Sequence, residues 1–477
     1  MITTKRLILA ICVVAGCGGD KSNHLPDAPP GSPDAPPDAP PTGPVTLTVT
    51  SQGVAVAGVQ VYFQNPDQSL VASPTTDASG DATATIEIGA VVTAIDPPPP
   101  VVVGTLFGAG PTQFDSLHTW AGVKPGDHLH LDLFGPGTTV TNAAVTVVAP
   151  TDPMATSYSL YTSCSNGDLI DITPQPVGSG SGFAVVGNQP VAVNLSVCSA
   201  TQDVLVVTLD IEGQPVNSFF IPDVAISDDM TLDFTDQTYA TVDTTTFDYS
   251  NINVAITAVP ITEQVLTGKG RLYLVTGAAT VDGTTASTSM PIPTATNSVV
   301  LTASDIVAAG VVSEQLILDW GPASAAYALD LGGALLHAYA TLPTFDPANH
   351  DVTWQEVAGV SADFALTQYH SFRPDGTLSH DWVWTLAAPR VTASTAVYPK
   401  IPTDVFDFNT TATDSSDVRE LINAKVPGGY DAVRAQIMNI DPTNPAAIAL
   451  GATGHAVVET VAPPPDLVRK HQRRRRH

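Results

Sequence analysis

The sequence predicts an all-β protein: tandem β-sandwich domains set behind a proline-rich stalk. Three observations carry that prediction. Apolar residues make up 43% of the 477 residues and charged ones only 13%, a charged share about half that of ordinary globular chains. Proline (41) and glycine (36) together supply about one residue in six, which interrupts the chain too often for a coiled coil or long helical bundle. Between these interruptions apolar residues recur at every second position, the spacing of a half-buried strand. Mean hydropathy is above zero, so the signature of intrinsic disorder, high charge with low hydrophobicity, is missing. The length allows about three domains.

Met1 to Gly16 reads as an export signal. Lys5 and Arg6 form its positive start, and Leu7 to Val14 form an apolar stretch too short to span a bilayer. Val14-Ala15-Gly16-Cys17 then resembles the bacterial lipobox, an aliphatic residue and two small residues before a cysteine. That resemblance implies cleavage after residue 16, thioether lipidation of Cys17 and acylation of its new amine. Asp20 does not follow the cysteine directly, so the resemblance favours the outer membrane over inner-membrane retention. Lipidated Cys17 makes the membrane the expected partner, each buried CH₂ of the acyl chains contributing about 0.8 kcal/mol.

Residues 17–44 comprise this cysteine and the stalk. The unit PDAPP occurs at 26–30, 33–37 and 37–41. Proline fixes φ and removes N–H donors, which favours polyproline II. Some twenty such residues extend ~60 Å at ~3.1 Å each.

Residues 45–136 form the first expected sandwich. Val45, Leu47 and Val49 share one face of a strand, and Thr46, Thr48 and Thr50 the other. Gly53-Val54-Ala55-Val56-Ala57-Gly58-Val59-Gln60-Val61 follows, then the turn Thr76-Asp77-Ala78-Ser79-Gly80 and a strand at 82–88. In that turn Asp caps its own backbone and Gly takes positive φ. These residues resemble the carboxypeptidase-regulatory-like and bacterial Ig-like modules, with their G-x-P-V-x-G-V-x-V strand pair and T-D-x-x-G turn. An apolar residue replaces the proline here. The resemblance covers about 45–95 and implies an Ig-like or prealbumin-like sandwich. It does not imply one function, because such modules act as spacers, adhesins and accessory domains. Pro97 to Pro100 read as a rigid corner, and 101–107 and 128–134 as further strands.

Residues 137–246 are expected to form a second β domain. It contains Cys164 and Cys198, the cysteines remaining once Cys12 leaves with the signal and Cys17 is lipidated. In an exported chain they read as a disulfide between strands near 157–163 and 191–198. Residues 247–462 continue the alternation, for example at Ile252, Val254 and Ile256, as one or two sandwiches. Asp417 to Glu420 reads as a capping box opening a helix at Leu421. Residues 463–477 form a basic tail, of which Arg469 to His477 carry +6.

The formal net charge is −28, and nine of the 18 basic residues sit at the chain ends. Such an acidic body repels nucleic acid. His128-Leu129-His130-Leu131-Asp132 places two imidazoles and a carboxylate on one strand face, a weak candidate for a metal site. The competing reading is a polar outer face opposite the leucines. Trp382 and Trp384 share a strand face and form a candidate platform for stacking sugar rings, although indoles are more often packed inside. His370, Arg373, His380 and Asp381 lie nearby, lining a polar site or decorating a loop. The sequence holds no G-x-S-x-G elbow, H-E-x-x-H, P-loop or dinucleotide fingerprint. No cofactor is expected. The favoured expectation is a non-enzymatic outer-membrane lipoprotein, on the periplasmic face or the cell surface. Its modules would serve adhesion, envelope architecture or presentation of an unknown protein or glycan ligand. A carbohydrate-binding lipoprotein built on the two tryptophans and a metal-dependent hydrolase centred on His128 are the alternatives.

Overall fold

The computed structural model describes residues 41–96, 112–133, 141–164, 168–173, 188–307, 313–336, 341–356, 359–375, 378–390, 394–402, 406–439 and 452–461. The signal segment, Cys17, the stalk to residue 40, the corner at 97–100, the expected strand at 101–107 and the basic tail lie outside them.

The chain is all-β. Among the described residues the helical elements are one short α-helix, Gly429–Val433, and a 3-10 segment, Arg434–Asn439. The period-two expectation holds residue by residue in Thr42–Ser51, where Val45, Leu47 and Val49 are buried and the intervening threonines are half-exposed. This strand starts three residues earlier than expected, inside the stalk segment. It pairs antiparallel with Asp81–Glu87 and parallel with His128–Asp132.

A small sheet built on Thr42–Ser51 packs against a fifteen-stranded sheet. The large sheet starts with Ala326–Asp330, Asp243–Ser250, Thr285–Ile292, Gly270–Asp282, Ala258–Thr267, Val299–Ile306 and Ser313–Gly321. It continues through Gly454–Val461, Ser415–Lys425, Phe364–Asp375, Leu378–Pro389 and Thr112–Val123. It ends with Ala90–Ile95, Gln60–Gln64 and Leu70–Ala72. At one end the sheet folds over itself. Tyr249 Oη lies 2.8 Å from Ser304 Oγ although three strands separate theirs. Such curling follows from the accumulated right-handed twist of long sheets.

Four apolar cores result among the described residues. The first lies between the small sheet and the large one, joining Leu47, Val49 and Ile86 to Trp120, Leu366, Ile422 and Val458, with Tyr430 and Val433 from the helix. The second fills the folded-over end, around Phe247, Ile261, Leu272 and Ile317. The third lies beneath a three-stranded sheet of Thr344–Asp346, Asp351–Thr353 and Thr395–Val397. The fourth belongs to a sandwich made wholly of strands between Thr141 and Thr241, with Val145, Val147 and Leu232 facing Leu160, Val204 and Val206. That sandwich docks through Tyr161 and Leu205 on the second core, with the Tyr161 and Tyr273 rings 5.0 Å apart, edge to face.

The 141–241 sandwich lies within the expected 137–246, and the strand Asp243–Ser250 crosses the expected end of that region. Thr112–Val123, from the first expected region, pairs in parallel with Leu378–Pro389. The capping box at Asp417 lies within the strand Ser415–Lys425 instead of opening a helix, because pairing on both sides with Phe364–Asp375 and Gly454–Val461 overrides the local cap signal.

Candidate functional site

The His-x-His-x-Asp strand is held by structural bonds. The Asp132 carboxylate accepts the backbone N–H groups of Gln52 at 3.0 Å and Gly53 at 3.2 Å, closing the turn after the first strand. His130 Nδ1 lies 2.9 Å from Asn439 Nδ2, and its Nε2 lies 3.2 Å from Thr50 Oγ1. Both ring nitrogens of His130 thus lie within hydrogen-bond reach of protein partners. His130 and Asp132 therefore staple the strand to its neighbours, while His128 is exposed at its start. Among the described residues no group of three His, Cys, Asp or Glu is placed to hold an ion.

Trp382 and Trp384 are both 0% exposed. They do share a face, as alternation requires, but it is the face roofed by the three-stranded sheet. Trp384 Nε1 donates to Thr119 Oγ1 at 2.8 Å, and its ring meets Tyr398 and His350 edge to face. No sugar can reach either indole, which removes the glycan platform. The physical reason is the covering layer: the three-stranded sheet and its neighbours His350 and Tyr398 lie against Trp384, and Phe406, Phe408 and Arg373 pack on Trp382.

The other candidates are also structural. Cys164 and Cys198 form a disulfide with Cα atoms 5.5 Å apart. It follows Ser157–Thr162 in one sheet and Pro190–Val197 in the other, and so clamps the two layers of the 141–241 sandwich. His370 sits between Asp381, 2.7 Å from Nε2, and Asp417, 2.9 Å from Nδ1. The hydrogen bond to Asp381 is the main reason its pKa lies above the ordinary histidine value. Arg373 makes a two-pronged pair with the buried Asp414 at 2.7 and 2.6 Å and donates to the carbonyls of Asp407 and Asn409. His380 stacks on Phe406 with ring centres 3.7 Å apart.

A site that the sequence reading missed lies at the mouth of the folded-over end. It is a cleft of about 400 Å³ between Asp243–Ser250 and Ser313–Gly321. Its floor is a row of side chains from neighbouring strands in register, Glu263 opposite Thr302 and Thr302 opposite Asp319, and the row continues past the lining to His455 opposite Asp319. The row runs from the buried interior outward. Glu263 is 1% exposed and Thr302 6%, while the His455 and Asp319 side chains are partly open. Tyr327 Oη donates to Asp319 Oδ2 at 2.5 Å, and His455 Nδ1 lies 2.8 Å from Asp319 Oδ1. Burial pushes the Glu263 carboxyl up to about 7, with the Thr302 hydroxyl acting in the opposite sense. Burial and the Asp319 charge also raise Tyr327. The wall is a run of small residues from Gly321 to Ala326. One sequence signal was present: Glu263 and Asp319 occupy the inward phase of their strands, between Ile261 and Val265 and after Ile317.

No family model matches the sequence, and no curated protein matches it. Among solved structures, the Bacillus anthracis TIE protein aligns over 56% of this chain and 46% of its own, at 13% identity and a TM-score of 0.13. A candidate adhesin from Bacteroides ovatus aligns over 36% of this chain and 79% of its own, at 12% identity and a TM-score of 0.14. The pilus adhesin SpaC from Lactobacillus rhamnosus GG, in its open conformation, aligns over 74% and 44%, at 9% identity and a TM-score of 0.14. This chain thus spans less than half the length of the first of them. Likeness at these scores assigns neither fold nor function. The all-β assignment rests on the strands themselves.

Proposed function

We propose that this chain is an exported, lipid-anchored β-sandwich protein of the bacterial outer membrane that works by binding rather than by catalysis. Cys17 is its anchor, the PDAPP segment its spacer, and the all-β body the part that meets a partner in adhesion, envelope architecture or ligand presentation. The observation that carries the export half of this reading is the Cys164–Cys198 disulfide, a bond that persists in oxidising compartments and is rare in the cytosol. The non-catalytic half is supported by the fate of the sequence candidates. The His128 strand is stapled, the tryptophans are core, and His370, Arg373 and His380 are tied into ion pairs and ring stacks.

The test is fractionation with protease shaving of intact cells, run beside Cys17→Ala. The reading expects wild-type protein in the outer-membrane fraction and release of the variant. Loss of the body to external protease would place it on the cell surface, and protection would place it on the periplasmic face. Unchanged membrane retention of Cys17→Ala would overturn the anchor.

A further inference from the structure

The cleft holds a carboxylate oxygen that the fold leaves unused. Glu263 lines the cleft and is almost wholly buried. One side of its carboxylate meets the Thr302 hydroxyl, but Oε1 has no hydrogen-bond partner. A buried acceptor without a donor is costly, and its persistence calls for a function. Asp319, two strands away in the same row, is by contrast engaged at both oxygens by Tyr327 and His455.

We propose that the cleft binds a primary ammonium group carried on an alkyl chain, seated against Glu263 Oε1, with Asp319 farther along the same row. Three features select this chemistry. The cleft carries three carboxylates, Asp243, Glu263 and Asp319, and no lysine or arginine among its described lining residues. An ammonium offers three donors and no acceptor, which matches a floor of carboxylate and hydroxyl oxygens. Finally, Glu263 is 1% exposed, so its charge is shielded from water and favours a cation that pairs with it directly. Calcium fits less well, because it takes about six to eight oxygen ligands and no group of three acidic or metal-ligating side chains converges here among the described residues. The shared chemistry has two sources, a lysine side chain of a protein partner or a free diamine.

Binding is coupled to protons. The groups facing Glu263 are Thr302 and Ser304 from one strand, Asp319 from the next, Tyr249 and Asp243 from the layer opposite, and Tyr327, with His455 beyond Asp319. An ammonium favours the ionised Glu263, so affinity falls as pH drops below about 7.

The test is calorimetric titration of the full-length protein in detergent, at constant ionic strength in amine-free buffer at alkaline pH. The probes are cadaverine and Nα-acetyl-lysine methylamide, and thermal melting is recorded beside each titration. Saturable binding is expected, with a melting temperature that rises with probe concentration in the wild type. Affinity should fall roughly tenfold or more in Glu263→Gln as a charge-assisted bond is lost. Tighter binding of the lysine derivative supports the site and assigns it to a protein partner, while tighter binding of cadaverine supports it and assigns a free diamine. Neither heat nor a melting shift in the wild type overturns the proposal without touching the Cys17 anchor. So does affinity unchanged in Glu263→Gln, and so does stabilisation by calcium chloride alone that vanishes in that variant.

Discussion

Replacing Glu263 by glutamine should stabilise the protein at neutral and alkaline pH and do so through proton linkage alone. Burial moves this carboxyl from its ordinary 4.5 to about 7. Between those values the folded state holds a proton that the unfolded chain has released, so stability falls as pH rises. The loss begins near pH 4.5, is complete above the folded value and is absent in acid. The shift of two to three units corresponds to about 3 kcal/mol, at ~1.4 kcal/mol per unit. Glutamine keeps the shape and cannot ionise. The difference in unfolding free energy between variant and wild type should therefore grow by about 3 kcal/mol from pH 4 to pH 8. Asp305 is raised in the same sense, to about 7, by burial and by Glu314. Burial also raises Asp115. Both groups are present in the two proteins and cancel in the difference. Urea titrations at half-unit pH intervals in phosphate and acetate measure it. A difference that stays flat with pH would refute the burial argument and show Glu263 solvated.

Three further outcomes follow from packing and chain geometry. Cys164→Ser opens a closure of 34 residues and should cost about 4 kcal/mol by the chain-entropy relation, read as a lower urea midpoint that a reducing agent reproduces in the wild type. Trp384→Ala, at a fully buried ring, should cost about 3–5 kcal/mol, again by urea titration. Gly80→Ala should cost about 1–3 kcal/mol, because φ is +81° there and a Cβ would sit 2.4 Å from the Val49 carbonyl oxygen; the melting temperature checks it.

Local chemistry was legible in the sequence where partners lie close along the chain. The Thr76–Gly80 turn forms as read. Asp77 Oδ1 accepts the N–H of Ser79 at 2.8 Å and of Asp81 at 3.1 Å, and Thr76 Oγ1 donates to the Val56 carbonyl. The strand phases near Val45 and the disulfide between two strand ends were equally readable, since each needs only period two or compartment. Other features were hidden because they depend on what lies across a sheet. Alternation placed Trp382 and Trp384 on one face but could not say that residues 344–353 and 395–397 would cover it. The Glu263–Thr302–Asp319–His455 row draws its members from four strands spread over nearly two hundred residues. An acid in the inward phase of an apolar strand, as at Glu263, marks such a row in advance, though not its other members.

The sheet also decides whether the N-terminal module is a domain in the physical sense. Its resemblance to free-standing sandwiches suggests that residues 45–136 would fold alone. The pairing argues otherwise. Strand Thr112–Val123 is bonded to Ala90–Ile95 on one side and to Leu378–Pro389 on the other, across nine residue pairs. Trp120 and Val92 share their core with Leu366, Ala387 and Tyr430. Thr119 accepts the Trp384 N–H, and Arg434 clamps Asp127 with bonds of 2.7 and 2.9 Å. Cutting at residue 136 bares that strand as a long unpaired edge, the kind that recruits other chains, and leaves part of a shared core in water. The isolated fragment should elute as an aggregate and melt without a cooperative transition, whereas the whole body should unfold together across the 112–123 and 378–389 pair. Hydrogen exchange tests the link directly: amides of Thr119 and Trp384 should exchange at one common rate in the full chain. A fragment that stays monomeric and melts cooperatively would refute the argument, and would mean that the small sheet and the strands 60–64 and 90–95 suffice to close the core.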